Sequence, residues 1–195
     1  MTKVAIDGPA GAGKSTISKK IAKELGYVYI DTGAMYRTVG LKACREGIDT
    51  LNTKGVISLL DSLDIDIVAS SGEQKIMLDG EDVSSLIRTP EISMAASNVS
   101  KIPEVRQALL KLQRMLANDK DVVMDGRDIG TNILPNANVK IYLTASVETR
   151  AKRRYFELIE KGVACDLKEI ERDIMERDTR DMNSEIAPLK QAEDA

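Results

Sequence analysis

The sequence contains no histidine. That absence removes Ser-His and Cys-His nucleophile systems, histidine general bases and zinc sites with histidine ligands. Cysteine is nearly as scarce. Cys44 and Cys165 are the only two, and they lie far apart without metal-ligand or redox spacing, so two reduced thiols are expected rather than a bridge. No apolar run exceeds a few residues, which leaves no candidate transmembrane helix or signal-peptide core and makes a soluble, cytoplasmic chain the expectation. The formal net charge of −3 gives no global attraction for nucleic acid or for an anionic membrane, so neither is an expected partner. Any anionic ligand must be met by local clusters. Phosphoryl transfer loses nothing by these absences, because it relies on Lys, Arg, Mg²⁺ and backbone N–H groups. At 195 residues the chain can bury a real core as one domain, or one domain with a small insertion.

What is present is the spacing G-x-x-x-x-G-K-S, met in full by Gly8-Pro9-Ala10-Gly11-Ala12-Gly13-Lys14-Ser15 and followed by Thr16. An apolar strand candidate, Lys3 to Asp7, precedes it, and a helix with Ile17, Ile21 and Leu25 at four-residue spacing follows, stopped by Gly26. Small residues let the backbone wrap a phosphate and aim successive N–H groups at its oxygens. Lys14 then reaches the β and γ phosphates, and the Ser15 hydroxyl is offered to Mg²⁺. Two further absences narrow the class. The chain has neither the guanine-reading Asn-Lys-x-Asp nor an Asp-x-x-Gly element of the kind that follows the γ phosphate in GTPase switches. A small-molecule kinase is the most economical reading. Another acceptor, or an ATP-driven regulatory switch, remains as an alternative.

Alternation continues with a strand at Tyr27 to Asp31 and a helix from about Ala34 to Glu46, closed by Gly47. Strands at Asp121 to Asp125 and Val139 to Thr144 each adjoin helical stretches. This favours an α/β fold of the P-loop NTPase type, with three layers and a parallel sheet flanked by helices. The middle departs from that rhythm. Asp64 to Ala69, Lys75 to Asp79 and Val83 to Ile87 read as a small antiparallel β meander, its first two members joined by Ser70-Ser71-Gly72-Glu73. The expected division is a core of 1–58 and 97–195 with an inserted subdomain at 59–96. Pro103 opens a long helix whose buried face is marked by Val105, Leu109, Leu112 and Leu116. From Ser146 to Met182 the chain is charged and helical, with a helical lid expected at about 146–165.

Three clusters carry arginine. Asp31-Thr32-Gly33-Ala34-Met35-Tyr36-Arg37 lies where a strand gives way to a helix, at the rim where α/β sheets bind ligands. Asp125-Gly126-Arg127-Asp128 ends a hydrophobic strand, where Asp125 would assist Mg²⁺ and Arg127 could hold an acceptor phosphate. Arg150 and Arg154 share a helix face, with Arg153 beside them, and could close over the phosphates. A solvated helix paired with Glu148 and Glu157 fits that third spacing equally well.

With these residues in view, the chain resembles the bacterial cytidylate kinase family of nucleoside monophosphate kinases. The resemblance runs almost end to end. It rests on the run from Asp7 to Ser15, on Asp31 to Arg37, on Gly80-Glu81-Asp82-Val83-Ser84, on Asp125-Gly126-Arg127-Asp128-Ile129-Gly130-Thr131, and on Arg177-Asp178 with Ala187-Pro188-Leu189. It implies a core, a lid and an inserted monophosphate-binding subdomain, and transfer of the ATP γ phosphate to CMP or dCMP with Mg²⁺, in a monomer. By position it implies that Arg37 and Arg127 grip the acceptor phosphate beside Thr32 and Tyr36. Ser97, Arg106 and Asp128 would read the base, and Arg177 and Asp181 would hold the sugar. Cytosine offers an amino donor that Asp128 can accept from, whereas uracil offers an acceptor that would face an anion. Ser184 stands where the family usually carries arginine, and the resemblance implies a further strand and helix beyond Ala195.

Overall fold

The computed structural model describes residues 1–70 and 73–195. Four parallel strands form the central sheet: β1 (Lys3–Asp7), β2 (Val28–Asp31), β6 (Val122–Gly126) and β7 (Val139–Tyr142), in the order β2-β6-β1-β7. β6 is buried along its whole length, and Val4, Ala5 and Ile6 of β1 are buried as well. Both faces of these strands are covered, so they read as continuous apolar runs rather than as alternation. The register sets Asp31 opposite Asp125 and Asp7 opposite Gly126, so acidic side chains end three adjacent strands at one rim.

α1 (Lys14–Leu25) begins after Gly13 and ends at Gly26, both in the left-handed region at φ 99° and 69°. Its buried face is Lys14, Ser18 and Ala22, while Ile17 and Leu25 are exposed. Of the three apolar positions only Ile21 packs, part-buried, against the sheet, and small side chains let the helix lie close to it. α2 (Thr32–Arg45) starts two residues earlier than its apolar pattern suggests, because the Asp31 carboxylate accepts from Ala34 N at 2.9 Å and caps the first turn.

After α3 (Thr53–Ser58) come the antiparallel strands β3 (Ile65–Ser70), β4 (Glu73–Leu78) and β5 (Glu81–Asp82). The expected joint between β3 and β4 falls at 71–72, outside the described residues. The third strand is Glu81–Asp82 rather than Val83 to Ile87. Asp79 and Gly80, at φ 51° and 81°, make a two-residue hairpin turn that pairs Leu78 directly with Glu81. Val83 and Ile87, four apart, both point inward from a helical turn, and a strand would have placed intervening residues there too. They join Ile65, Ile76 and Leu78 in one apolar core with Ile30, Val39 and Met124, so the small sheet is packed into the main body.

α4 (Pro90–Val99) lies against α2, and α5 (Pro103–Ala117) follows. The buried face of α5 is Val105, Leu109, Gln113 and Ala117, while Leu112 and Leu116 are half-buried beside it. The strict four-residue progression from Val105 selects the polar Gln113 over Leu112. The charged tail forms α6 (Val147–Glu160) and α7 (Leu167–Met182), separated at Gly162. No described helix is long and apolar enough to cross a membrane.

Gly40 marks the closest approach of α2 and α4. A Cβ there would meet the Ala95 Cβ at 2.9 Å and the Ala96 N at 3.1 Å. Gly40→Val should therefore lower the unfolding free energy by about 1–3 kcal/mol, as overpacking does, read from urea midpoints. An unchanged midpoint would contradict this packing.

Candidate active site

The loop after β1 is held in a shape that only glycine permits at its first position. Gly8 has φ 148°, and a Cβ there would fall 1.9 Å from the Leu143 carbonyl oxygen. Lys14 is buried and donates to the Pro9 carbonyl at 2.8 Å. Burial, reinforced by the nearby Arg127, brings its ammonium down to about 7. Ser15 Oγ donates to Asp125 Oδ2 at 2.9 Å, and Tyr29 donates to Asp125 Oδ1 at 2.9 Å. Burial first, then the Asp31 carboxylate, push Asp125 up to about 6. An alcohol and a carboxylate side by side, with a second carboxylate near, form an oxygen donor set that fits a hard divalent cation. Thr16 is exposed on α1.

Ala10, Gly11, Lys14, Ser15 and Asp125 form one wall of an open cleft of about 300 Å³, a volume in the range of small-ligand sites. Thr32, Tyr36, Arg37, Ser97, Arg106, Arg127, Asp128, Arg177 and Asp181 also line it. Residues spread over α2, α4, α5, β6 and α7 thus face the phosphate loop. Three arginines of the cleft each have an acidic companion. Arg37 pairs with Asp31 at 2.9 Å, Arg127 with Asp181 at 2.9 Å, and Arg106 with Asp128 at 2.6 Å. Asp128 also accepts from Asn132 at 2.9 Å, and the Arg106 guanidinium lies over the Tyr36 ring at 5.8 Å. Thr32 Oγ1 donates to the Asp125 carbonyl at 2.8 Å. Arg177 differs: its Nε is buried without a partner, and burial together with Arg127 lowers its guanidinium to about 10. A concentration of positive charge of this kind suits a dianion.

The third arginine cluster divides differently from its spacing. Arg150 does not hang over the phosphates: it is 3% exposed and its guanidinium is engaged by Asp178 and by backbone carbonyls. Arg154 pairs with Glu157 at 3.3 Å on the helix surface and is not among the cleft residues. Arg153 is the one at the loop, with Nη1 3.4 Å from the Ala12 carbonyl oxygen.

Other contributors carried weak sequence signals. Asp7 accepts from Ile129 N at 2.8 Å and Gly130 N at 2.7 Å, fixing the turn that presents Arg127 and Asp128. An acid closing a buried strand just before the glycine loop was its clue. Tyr29 orients Asp125 from an apolar strand where an aromatic residue reads as core. Lys101 and Arg180 also line the cleft, with Ser184 and Ala187 at its edge. Ser184 Oγ turns back to donate to the Ile186 carbonyl at 2.9 Å.

The cytidylate kinase family model matches residues 4–195. A cytidylate kinase from Caldicellulosiruptor bescii is 57% identical over 192 residues, covering 98% of this chain and 85% of that protein. One from Lactobacillus johnsonii is 53% identical over 195 residues, covering 100% and 85%. One from an Exiguobacterium species is 50% identical over 192 residues, covering 98% and 86%.

Asp125 yields a pH prediction. Because its folded value stands near 6, above the ordinary carboxyl value of 3.8, the folded chain holds more protons than the unfolded one between those limits. Stability contributed at this position therefore falls as pH rises from about 4 to 6. Asp125→Asn removes that dependence. Without nucleotide the variant should gain stability relative to the parent across this window and keep the gain above it, in denaturant titrations from pH 4 to 8. A relative loss with rising pH would refute the assigned burial cost.

Proposed function

The chain belongs to the cytidylate kinase family, and on that premise we propose that its cleft seats ATP on the phosphate loop and CMP or dCMP opposite it. The reaction is transfer of the ATP γ phosphate to CMP, giving ADP and CDP. The observation that carries the site assignment is the meeting of Arg37, Arg127 and Arg177 in the cleft that Lys14 and Ser15 border. A monophosphate is a dianion, and these guanidiniums offer forked donors to it.

Transfer proceeds in line, without a covalent enzyme intermediate. An acceptor phosphate oxygen attacks the γ phosphorus while the bond to the β–γ bridging oxygen breaks. Arg37 and Arg127 exchange their carboxylate partners for the acceptor phosphate, which frees Asp181 to accept from a sugar hydroxyl while Arg177 donates to the sugar. Lys14 spans the β and γ phosphates and shares the charge that accumulates on the leaving oxygen. Ser15 and Asp125 would hold magnesium, which when bound would supply charge neutralisation to the triphosphate. Of the α6 guanidiniums, Arg153 is the one assigned to the transferring group, a reading supported by its Nη1 lying 3.4 Å from the Ala12 carbonyl oxygen of the loop. In this reading 59–96 is the acceptor-binding subdomain and about 146–165 the lid, whose closure excludes competing water.

Base choice rests on Asp128. Its carboxylate is pinned between Arg106 and Asn132, leaving it as a rigid acceptor beside Ser97 and Tyr36 in the cleft. The cytosine amino group donates to it, whereas the uracil carbonyl opposes it. Asp128→Asn replaces one acceptor oxygen with a donor. The ratio of kcat/KM for CMP to that for UMP should fall by about tenfold or more, measured as ADP formation with each acceptor. A ratio equal to that of the parent enzyme would remove Asp128 from base recognition.

A further inference from the structure

Arg150 is a charged residue that the reaction above does not use, and it is among the most deeply buried side chains of the charged C-terminal stretch. Its Nε donates to the Ala145 carbonyl at 2.9 Å and its Nη1 to the Ala10 carbonyl at 3.1 Å. The same Nη1 reaches Asp178 Oδ1 at 3.0 Å, and Nη2 reaches Asp178 Oδ2 at 2.5 Å. The stem of the side chain also packs against the loop, since a Cβ on Gly11 would lie 3.5 Å from the Arg150 Cβ. One guanidinium thus grips the phosphate loop with one edge and α7 with the other.

The far end of this grip is equally specific. Asp178 is 8% exposed. On the same helix Arg177 and Asp181 are four residues apart and share a face, which lines the acceptor half of the cleft. Asp178 stands about 100° round from Arg177 and faces α6 instead. Besides this pair, only Ala151 and Ile170 are buried on α6 and α7, so little apolar packing sets how α7 sits against the loop. A buried ion pair is poor evidence for stability as such, because an apolar pair of similar volume often serves as well. What a bidentate fork provides is a fixed geometry between two elements.

We propose that Arg150 and Asp178 form a strut through which occupancy of the phosphate loop is transmitted to the acceptor-binding face of α7. The proposal rests on the kinase reading of the cleft. Ala10 lines the donor wall, and its carbonyl is one anchor of the strut, so any adjustment of the loop around a triphosphate or diphosphate moves Arg150. Asp178 follows, and with it the helix that carries Arg177 and Asp181. Arg150 is accordingly a positioning residue. Its guanidinium cannot reach nucleotide without abandoning Asp178.

The test is calorimetric binding of CMP to the whole chain, with and without saturating ADP and Mg²⁺. For the parent protein the two CMP dissociation constants should differ by about fivefold or more. The double variant Arg150→Met/Asp178→Leu, which buries no charge, should keep a melting temperature close to the parent's. Its two CMP constants should agree to within about twofold. Arg150→Lys retains the charge without the fork and should also lose the difference. A folded double variant that preserves the parent's ratio overturns the strut. A parent that binds both nucleotides without any difference overturns it too, leaving the kinase reading intact, whereas a parent that binds no CMP overturns both.

Discussion

A cleft that receives two polyanions must hold cations close together before either ligand arrives, and most of the architecture around this site manages that repulsion. Arg37, Arg106 and Arg127 are each paired with a carboxylate of the cleft itself, Asp31, Asp128 and Asp181. Lys14 has only a backbone carbonyl at hydrogen-bond distance, and Arg177 leaves its buried Nε without a partner. The two least compensated cations are also those whose charged forms are weakened most by burial and by Arg127. Charge is therefore stored in a form that a phosphate oxygen relieves, which is the electrostatic preorganisation that phosphoryl transfer calls for.

The sheet supplies the geometry for this arrangement. Parallel strands in register bring Asp7, Asp31 and Asp125 to one rim, and each acid does a different task there. Asp7 holds the turn after β6 through two backbone N–H groups, Asp31 caps α2 and anchors Arg37, and Asp125 meets Ser15 and Tyr29. Removing charge from the rim would ease folding, as expected where costly groups are kept together.

Much of this was legible in the sequence because local chemistry dictated it. The phosphate loop is set by spacing and by glycine, and the strands of the main sheet by short apolar runs. The acidic strand ends could be read for the same reason. What escaped depended on contacts distant in the chain. The third strand of the small sheet was displaced by the Asp79-Gly80 turn, whose positive φ angles are not visible as periodicity. The inner face of α1 is made of Ser18 and Ala22 because the sheet lies close, and no hydrophobic pattern reports that distance. Arg150, Arg153 and Arg154 are nearly indistinguishable as letters. Which one is buried is decided by Asp178 on a different helix.

The central claim is that burial and Arg127 weaken the charge of Lys14 and that the triphosphate restores it. Calorimetry of Mg·ATP binding at pH 8, in buffers of different ionisation enthalpy, measures this directly. Burial and the nearby Arg127 bring the Lys14 ammonium down to about 7, below that pH. The account predicts net proton uptake on binding, since the phosphates raise the Lys14 value. Binding with no proton exchange, or with proton release, would contradict it.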